Sequence, residues 1–282
     1  MLEVFAAQPE VFVMAAGILG VALGSFLNVV IHRLPGMLDR EWRSQCASFE
    51  GRELEAGEPY NLVQPGSACP HCGHAIAWHE NVPIASWLWL RGRCAACQAP
   101  ISPRYPIVEA LTGVLFGYAA WKWGYGFQAV AVMGLLAVLV ALAFIDLDTQ
   151  LLPDNLTMPL VWAGLLVNFQ GAFIPLEEAV LGAVAGYLSL WTVYHLFRLL
   201  TGKEGMGFGD FKLLAALGAW LGWKLLLPIV LVASMAGALV GLALIGLGGH
   251  DRAKPIPFGP WLVLGGLVAL FWGDGLIRIW LG

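Results

Sequence analysis

Eight runs of apolar residues constrain this chain more than any other feature: 11–31, 107–123, 127–145, 156–172, 179–200, 211–223, 225–247 and 260–281. Their lengths approach the roughly 20 residues an α-helix needs to cross a bilayer. Only 12% of the 282 residues are charged and 59% are hydrophobic, whereas soluble domains carry about twice that charged fraction. A large soluble core would need polar helix faces that these runs do not supply. The pattern predicts an all-α polytopic membrane protein with about eight transmembrane helices, surrounded by membrane lipid. The first run does not read as a cleavable signal peptide, because Glu3 stands where a basic leading region belongs and no small-residue cleavage site follows.

Net charge is −4 and points to no nucleic-acid partner, but the distribution of cations is informative. With eight crossings both termini share one side, and alternate connections share the other. Those connections carry Arg33, Arg40, Arg43, Arg52, Arg91, Arg93, Arg104, Arg198, Lys203, Lys212, Arg252 and Lys254, leaving Lys122, Lys224 and Arg278 opposite. A basic excess marks the cytoplasmic face. The organisation expected is a first transmembrane helix at 1–33, a cytoplasmic insert at 34–106 and a seven-helix membrane domain at 107–282.

The insert contains Cys69, Cys72, Cys94 and Cys97 as C-x2-C-x21-C-x2-C. Paired CxxC turns let four thiolates converge on one tetrahedral Zn²⁺. Two disulfides compete with that reading, but the loop is placed in a reducing compartment. Four thiolates leave no position for water, so the zinc is expected to be structural. His71, His74 and His79 are alternative ligands or solvated loop residues, and Cys46 falls outside the spacing.

Carboxylates beside membrane spans are functional candidates because they are costly there. "FIDLDTQLLPDNLTMPL" supplies Asp146, Asp148 and Asp154, and "GMGFGDFKLL" supplies Asp210. Both stretches fall at cytoplasmic helix ends, so they can meet on one face. Each acid also has a structural reading. Asp154 and Asp210 can cap helices, Asp148 can be a solvated loop residue, and Asp146 still belongs to its apolar run. Gly205, Gly207 and Gly209 leave room for an extended peptide to lie close to the backbone. Two aspartates gathered there would share one proton, so that one activates water while the other protonates a carbonyl oxygen.

These residues are the ones through which the chain resembles the bacterial type IV prepilin peptidases, bifunctional leader peptidase/N-methyltransferases and relatives of other GxGD intramembrane aspartic proteases. The resemblance spans nearly the whole chain: "GSFLNVVIHRLP" (Gly24–Pro35), both CxxC pairs, "IDLDTQLLPDNLTMPL", "GKEGMGFGDFKLL" and "PIPFGP" (Pro255–Pro260). It implies a catalytic pair at Asp146 and Asp210, with Asp148 and Asp154 outside the pair. It also implies prepilin and pseudopilin substrates, cut after a glycine on the cytoplasmic face of the inner membrane. Methylation of the new N-terminus by S-adenosylmethionine follows. Glu204, Asp148 and Asp154 could steer the basic leader, and Glu204 also reads as plain surface charge. No G-x-G-x-x-G follows a strand, so no residue is assigned to the methyl donor. "NVPIASWLWLRGRC" (Asn81–Cys94) is the aromatic stretch nearest to such a role, although Trp87 and Trp89 also fit an interfacial belt.

Two other classes account for part of the pattern. A transporter would use the membrane-edge aspartates for protons or cations, but leaves the cysteines and the glycine loop unexplained. A membrane-anchored zinc scaffold accounts for the insert alone.

Overall fold

An uninterrupted apolar run that continues into a mixed polar sequence can remain one helix beyond the bilayer, and the first element does so. Helix α1 (Pro9–Phe49) has 41 residues, about 60 Å at 1.5 Å per residue, twice the hydrocarbon thickness of roughly 30 Å. Residues 34–49 of the expected insert therefore continue the first helix straight through Pro35. The computed structural model describes residues 5, 7–52, 59–248 and 256–281. Glu3, Arg252, Lys254 and Pro255 of the sequence reading lie outside the described residues.

The other helices are α2 (Ala85–Trp89), α3 (Arg104–Trp123), α4 (Phe127–Thr149), α5 (Asp154–Val167), α6 (Leu176–Thr201), α7 (Phe208–Leu221), α8 (Leu226–Gly248) and α9 (Gly259–Leu281). Among the described residues there is no β-strand, only two isolated bridges, Ala68 with Ala75 and Arg93 with Pro100. Each of the eight apolar runs contains most of an α-helix, with 156–172 and 211–223 extending beyond α5 and α7 into short turns. Among the described residues, five spans are long and apolar enough to cross a membrane: Pro9–Phe49, Phe127–Thr149, Leu176–Thr201, Trp223–Gly246 and Gly259–Trp280. The chain is a multi-pass helical membrane protein. Helices α5 and α7 have only 14 residues each, about 21 Å, so they cannot cross the apolar core upright.

The chain divides into two compact units, Met1–Ala141 and Leu142–Gly282, with the division falling inside α4. In the first unit α1 packs along α3 through glycines. A Cβ on Gly20 would lie 2.7 Å from the Thr112 carbonyl oxygen, and one on Gly24 would lie 2.7 Å from Glu109 Cα. Such small-residue seams let helices approach closely in lipid, where the hydrophobic effect does not drive association. Polar residues of the stretch Gly24–Pro35 reach the start of α3 and the loop after α1: Asn28 Nδ2 donates to the Tyr105 carbonyl at 3.1 Å, and Arg33 Nη1 to that of Asn61 at 3.0 Å.

The second unit is built round α7. From Asp210 to Trp220 every residue except Lys212 is buried, as expected of a helix apolar on all sides. Its neighbours are α5, α6 and α9. Gly182 of α6 and Gly218 of α7 meet backbone to backbone, and Gly266 of α9 accommodates Leu217. At the far end of α7, the fully buried Asn168 donates to the carbonyls of Ala219 and Trp220 at 3.0 and 3.3 Å. Its own oxygen accepts the N–H groups of Phe173 and Ile174 at 3.1 and 3.2 Å. That amide satisfies helix-end carbonyls that would otherwise be orphaned in an apolar setting.

Candidate functional site

Asp146 lies in the last turn of α4 and Asp210 in the first turn of α7, and both belong to the second unit. Their residues are only 4% and 6% exposed, which sets them apart from the surrounding acids. Leu152 links the two: it lies against Gly259, whose N–H Asp146 holds, and against Gly209, which directly precedes Asp210. Each carboxylate accepts one backbone N–H from a glycine: Asp146 Oδ2 from Gly259 at 2.9 Å and Asp210 Oδ2 from Gly207 at 3.2 Å. Gly207 is the N-cap of α7 and Asp210 its third residue, so Asp210 reaches back to an N–H that the helix cannot satisfy. The capping role expected of Asp210 is therefore present, delivered from inside the helix.

Glycine at 259 has a specific reason. A Cβ there would stand 2.6 Å from Asp146 Oδ2 and 3.2 Å from Leu152 Cδ1. At Gly209, immediately before Asp210, a Cβ would stand 2.6 Å from Leu152 Cβ. Leu152 thus touches the backbone beside both acids. The room expected at Gly209 and Gly205 is taken by Leu152 and Phe197, whereas a Cβ on Gly207 would meet nothing closer than 3.9 Å.

The remaining acids separate from this pair. Asp154 does not cap α5: Pro153 is the N-cap, and Asp154 occupies the first helical position without a side-chain capping bond. Its oxygens instead pair with Lys212 Nζ at 2.6 and 2.7 Å, which neutralises it as a lure for a cationic segment. Asp148 is exposed and lies on α4 rather than in a loop. Glu204 is exposed and pairs with Arg198 at 3.8 Å.

In the first unit, the sulfurs of Cys69, Cys72, Cys94 and Cys97 all lie within 4.8 Å of one another, a cluster that can hold one metal ion. The two CxxC turns share one design. Cys69 N–H donates to the His74 carbonyl and Cys94 N–H to that of Ala99, both at 2.9 Å. The turns close through left-handed residues at matching positions, Gly73 (φ 73°) and Gln98 (φ 60°). Backbone N–H groups of His71 and Cys72 hold the Cys69 thiol down at about 7, and those of Cys97 and Ala96 lower Cys94. At Cys72 the His74 N–H lowers the value, but the neighbouring thiols and burial drive it up to about 12. Four sulfurs this close cannot all ionise without a cation between them. His71, His74 and His79 stand outside the cluster, and His74 instead meets Glu80 at 3.1 Å. The Ala77 N–H and then His74 hold Glu80 below the usual carboxylate range. Cys46 is exposed and separate.

Sequence reasoning passed over Glu109, a third buried acid at 7% exposure. It lies on α3 and accepts the Ile84 N–H at 2.7 Å. Ile84 has φ 59° and ψ −51°, and Ala85 N–H closes back on the Pro83 carbonyl at 2.6 Å. This is a γ-turn of the strained kind, centred on a β-branched residue. Trp87, just beyond it, packs over Gly92 and donates to the Ile101 carbonyl at 3.2 Å, whereas Trp89 is 88% exposed. An acid inside an apolar helical run was the available signal for Glu109. The role of Gly259 had no comparable mark beyond its place in "PIPFGP".

Residues 18–123 match the family described as Bacterial Peptidase A24 N-terminal domain, and residues 133–242 match the Type IV leader peptidase family. Similar proteins include the prepilin leader peptidase/N-methyltransferase of Aeromonas hydrophila, 54% identical with 100% of this chain and 98% of that protein aligned. That of Stutzerimonas stutzeri is 52% identical over 99% of this chain and 97% of its own length. The one from Pseudomonas aeruginosa is 50% identical over 100% and 97%. No solved structure matches the chain.

Proposed function

The chain belongs to the type IV leader peptidase family, and from that premise we propose that it removes the leader from prepilins and methylates the new N-terminus. The observation that carries the first activity is the pairing of Asp146 and Asp210, two buried acids on separate helices, each held by one glycine N–H. Two buried carboxylates gathered at one place would hold one proton between them, because both cannot ionise side by side in a desolvated setting. The ionised member draws a proton from water as the oxygen attacks the scissile carbonyl carbon. The protonated member gives its proton to the carbonyl oxygen. Collapse of the tetrahedral intermediate returns a proton to the leaving amine, with no covalent acyl-enzyme. Gly259 and Gly207 fix one oxygen of each carboxylate, which leaves the other free for water or substrate.

The setting fits a substrate that is itself a membrane helix, since its cut site would lie at the depth of the helix ends bearing the two acids. The excess of Lys and Arg on the polar connections supports a cytoplasmic position for that edge. Pseudopilins of type II secretion share this substrate form. Asp154 and Glu204 are each already ion-paired, with Lys212 and Arg198, so neither stands as a lone lure for a basic leader.

The four cysteines fit zinc. A tetrahedral ion with Zn–S bonds of about 2.3 Å spaces its sulfurs about 3.8 Å apart, and Cys69 Sγ and Cys97 Sγ stand 3.8 Å apart. A closed four-thiolate site would staple the turns between α1 and α3, which bury few apolar side chains of their own. S-adenosylmethionine would supply the methyl group for the second activity. Among the described residues there is no sheet on which a Rossmann-type donor site could be built, and no residue is assigned to the donor. The transporter reading accounts for the buried acids but not for the cysteine cluster, and the relatives' names give it no support.

Mass spectrometry of a prepilin incubated with this protein tests both activities together. Leader loss alone is expected without S-adenosylmethionine, and leader loss plus one methyl group with it. An intact prepilin under both conditions would reject the assignment.

A further inference from the structure

The segment between α4 and α5 is fixed at both ends. Gln150, at φ 55°, turns the chain out of α4, and its N–H closes on the Asp146 carbonyl at 2.9 Å. On the other side Pro153 caps α5, its carbonyl accepts Thr157 Oγ1 at 3.2 Å, and Asp154 is clamped by Lys212. Between these anchors Leu152 is 7% exposed. Its side chain lies against Gly209, beside Asp210, and against Gly259, whose N–H holds Asp146.

We propose that Leu152 is a specificity-determining residue, a wedge beside the two acids that admits only a residue without a side chain at the carbonyl to be cut. The proposal rests on the leader-peptidase reading above. A peptide that offers one carbonyl carbon to both carboxylates has to pass the contact that Leu152 makes with the two glycine backbones. Gly207 offers open space at this site, but Gly209 and Gly259 are already in contact with Leu152. A Cβ on the residue contributing the carbonyl would compete with Leu152 for the same volume. The chain is anchored on both flanks of Leu152, and the side chain itself is buried. Close-packed walls of this kind discriminate a single added methyl group by about 10- to 200-fold. Cleavage after glycine is then a consequence of bulk on the enzyme, independent of the acids' chemistry.

The test measures kcat/KM of the full-length protein on two prepilins that differ only in glycine or alanine before the cut. The unsubstituted protein should favour glycine by about tenfold or more. Leu152→Ala should shrink that ratio at least about fivefold, Leu152→Val should shrink it partially, and Leu152→Ile, which keeps the volume, should preserve it. If Leu152→Ala and Leu152→Val depress both substrates in parallel, or leave the ratio at its original value, Leu152 only packs and the proposal fails. If the unsubstituted protein cuts neither prepilin, the leader-peptidase reading falls and takes this proposal with it.

Discussion

The acid pair and the cysteine cluster solve opposite problems. In the second unit helix packing brings two buried carboxylates to one place, and on the proposed mechanism one shared proton leaves the pair with a single negative charge instead of two. Backbone glycines meet backbone carbonyls along α7, and Asn168 ties off its far end. In the first unit four potential anions gather on short turns with few buried apolar neighbours, and only a cation between them makes that arrangement favourable. One site is a product of the fold, whereas a metal at the other would help to make the fold around it. The lesson is that burial of charge is tolerated either by reducing the charge or by supplying its opposite, and the two proposed sites would use one each.

Substitutions at the two sites should therefore fail in different ways. The largest effect is expected from Asp146→Asn or Asp210→Asn, which removes the shared proton without changing shape. Leader removal should fall by about 10³-fold or more, with metal content by elemental analysis unchanged. Cleavage persisting in both variants would remove the pair from the mechanism. Next, Gly259→Ala drives a methyl group to 2.6 Å from Asp146 Oδ2. Displacing the carboxylate should cost about 100-fold in cleavage, again with metal content intact. A near-normal rate would mean that the Gly259 contact is not needed.

The other site should respond in the reverse order. Cys94→Ser, or a strong chelator, should remove the bound metal and open residues 59–103 to limited proteolysis, while helices of the second unit stay protected. Equal protection of both units after metal loss would contradict the division drawn here. The smallest effect is expected at Glu109. Glu109→Leu strips the Ile84 N–H of its acceptor and should destabilise the first unit by about 1–3 kcal/mol in thermal melts. Glu109→Gln, which keeps an acceptor oxygen, should recover most of that loss. Identical melting of the two variants would show that the γ-turn holds without the carboxylate.

Much of this was legible in the residues because the signals are local. Apolar runs of bilayer length report membrane helices, CxxC spacing reports a thiolate cluster, and an acid left inside an apolar run reports Asp146. Helix caps were less legible. Asp154 after Pro153 has the appearance of a cap, but Lys212, distant in sequence, provides a stronger partner than the α5 N-terminus. The run ending near residue 31 also concealed a helix that continues to Phe49, since hydropathy stops at the membrane edge and helical hydrogen bonding does not.

The sequence by itself determined the solvent the chain lives in, the number of apolar segments, the metal-binding residue type and the identity of the two candidate acids. All of these depend on composition and short-range spacing. Only the tertiary structure decided that Gly259 grips Asp146 across 113 positions, that Leu152 stands between the two glycine backbones, and that Glu109 holds a strained turn. Those contacts arise from the close approach of distant backbones, and a glycine in a sequence does not reveal which atom will occupy the space it leaves.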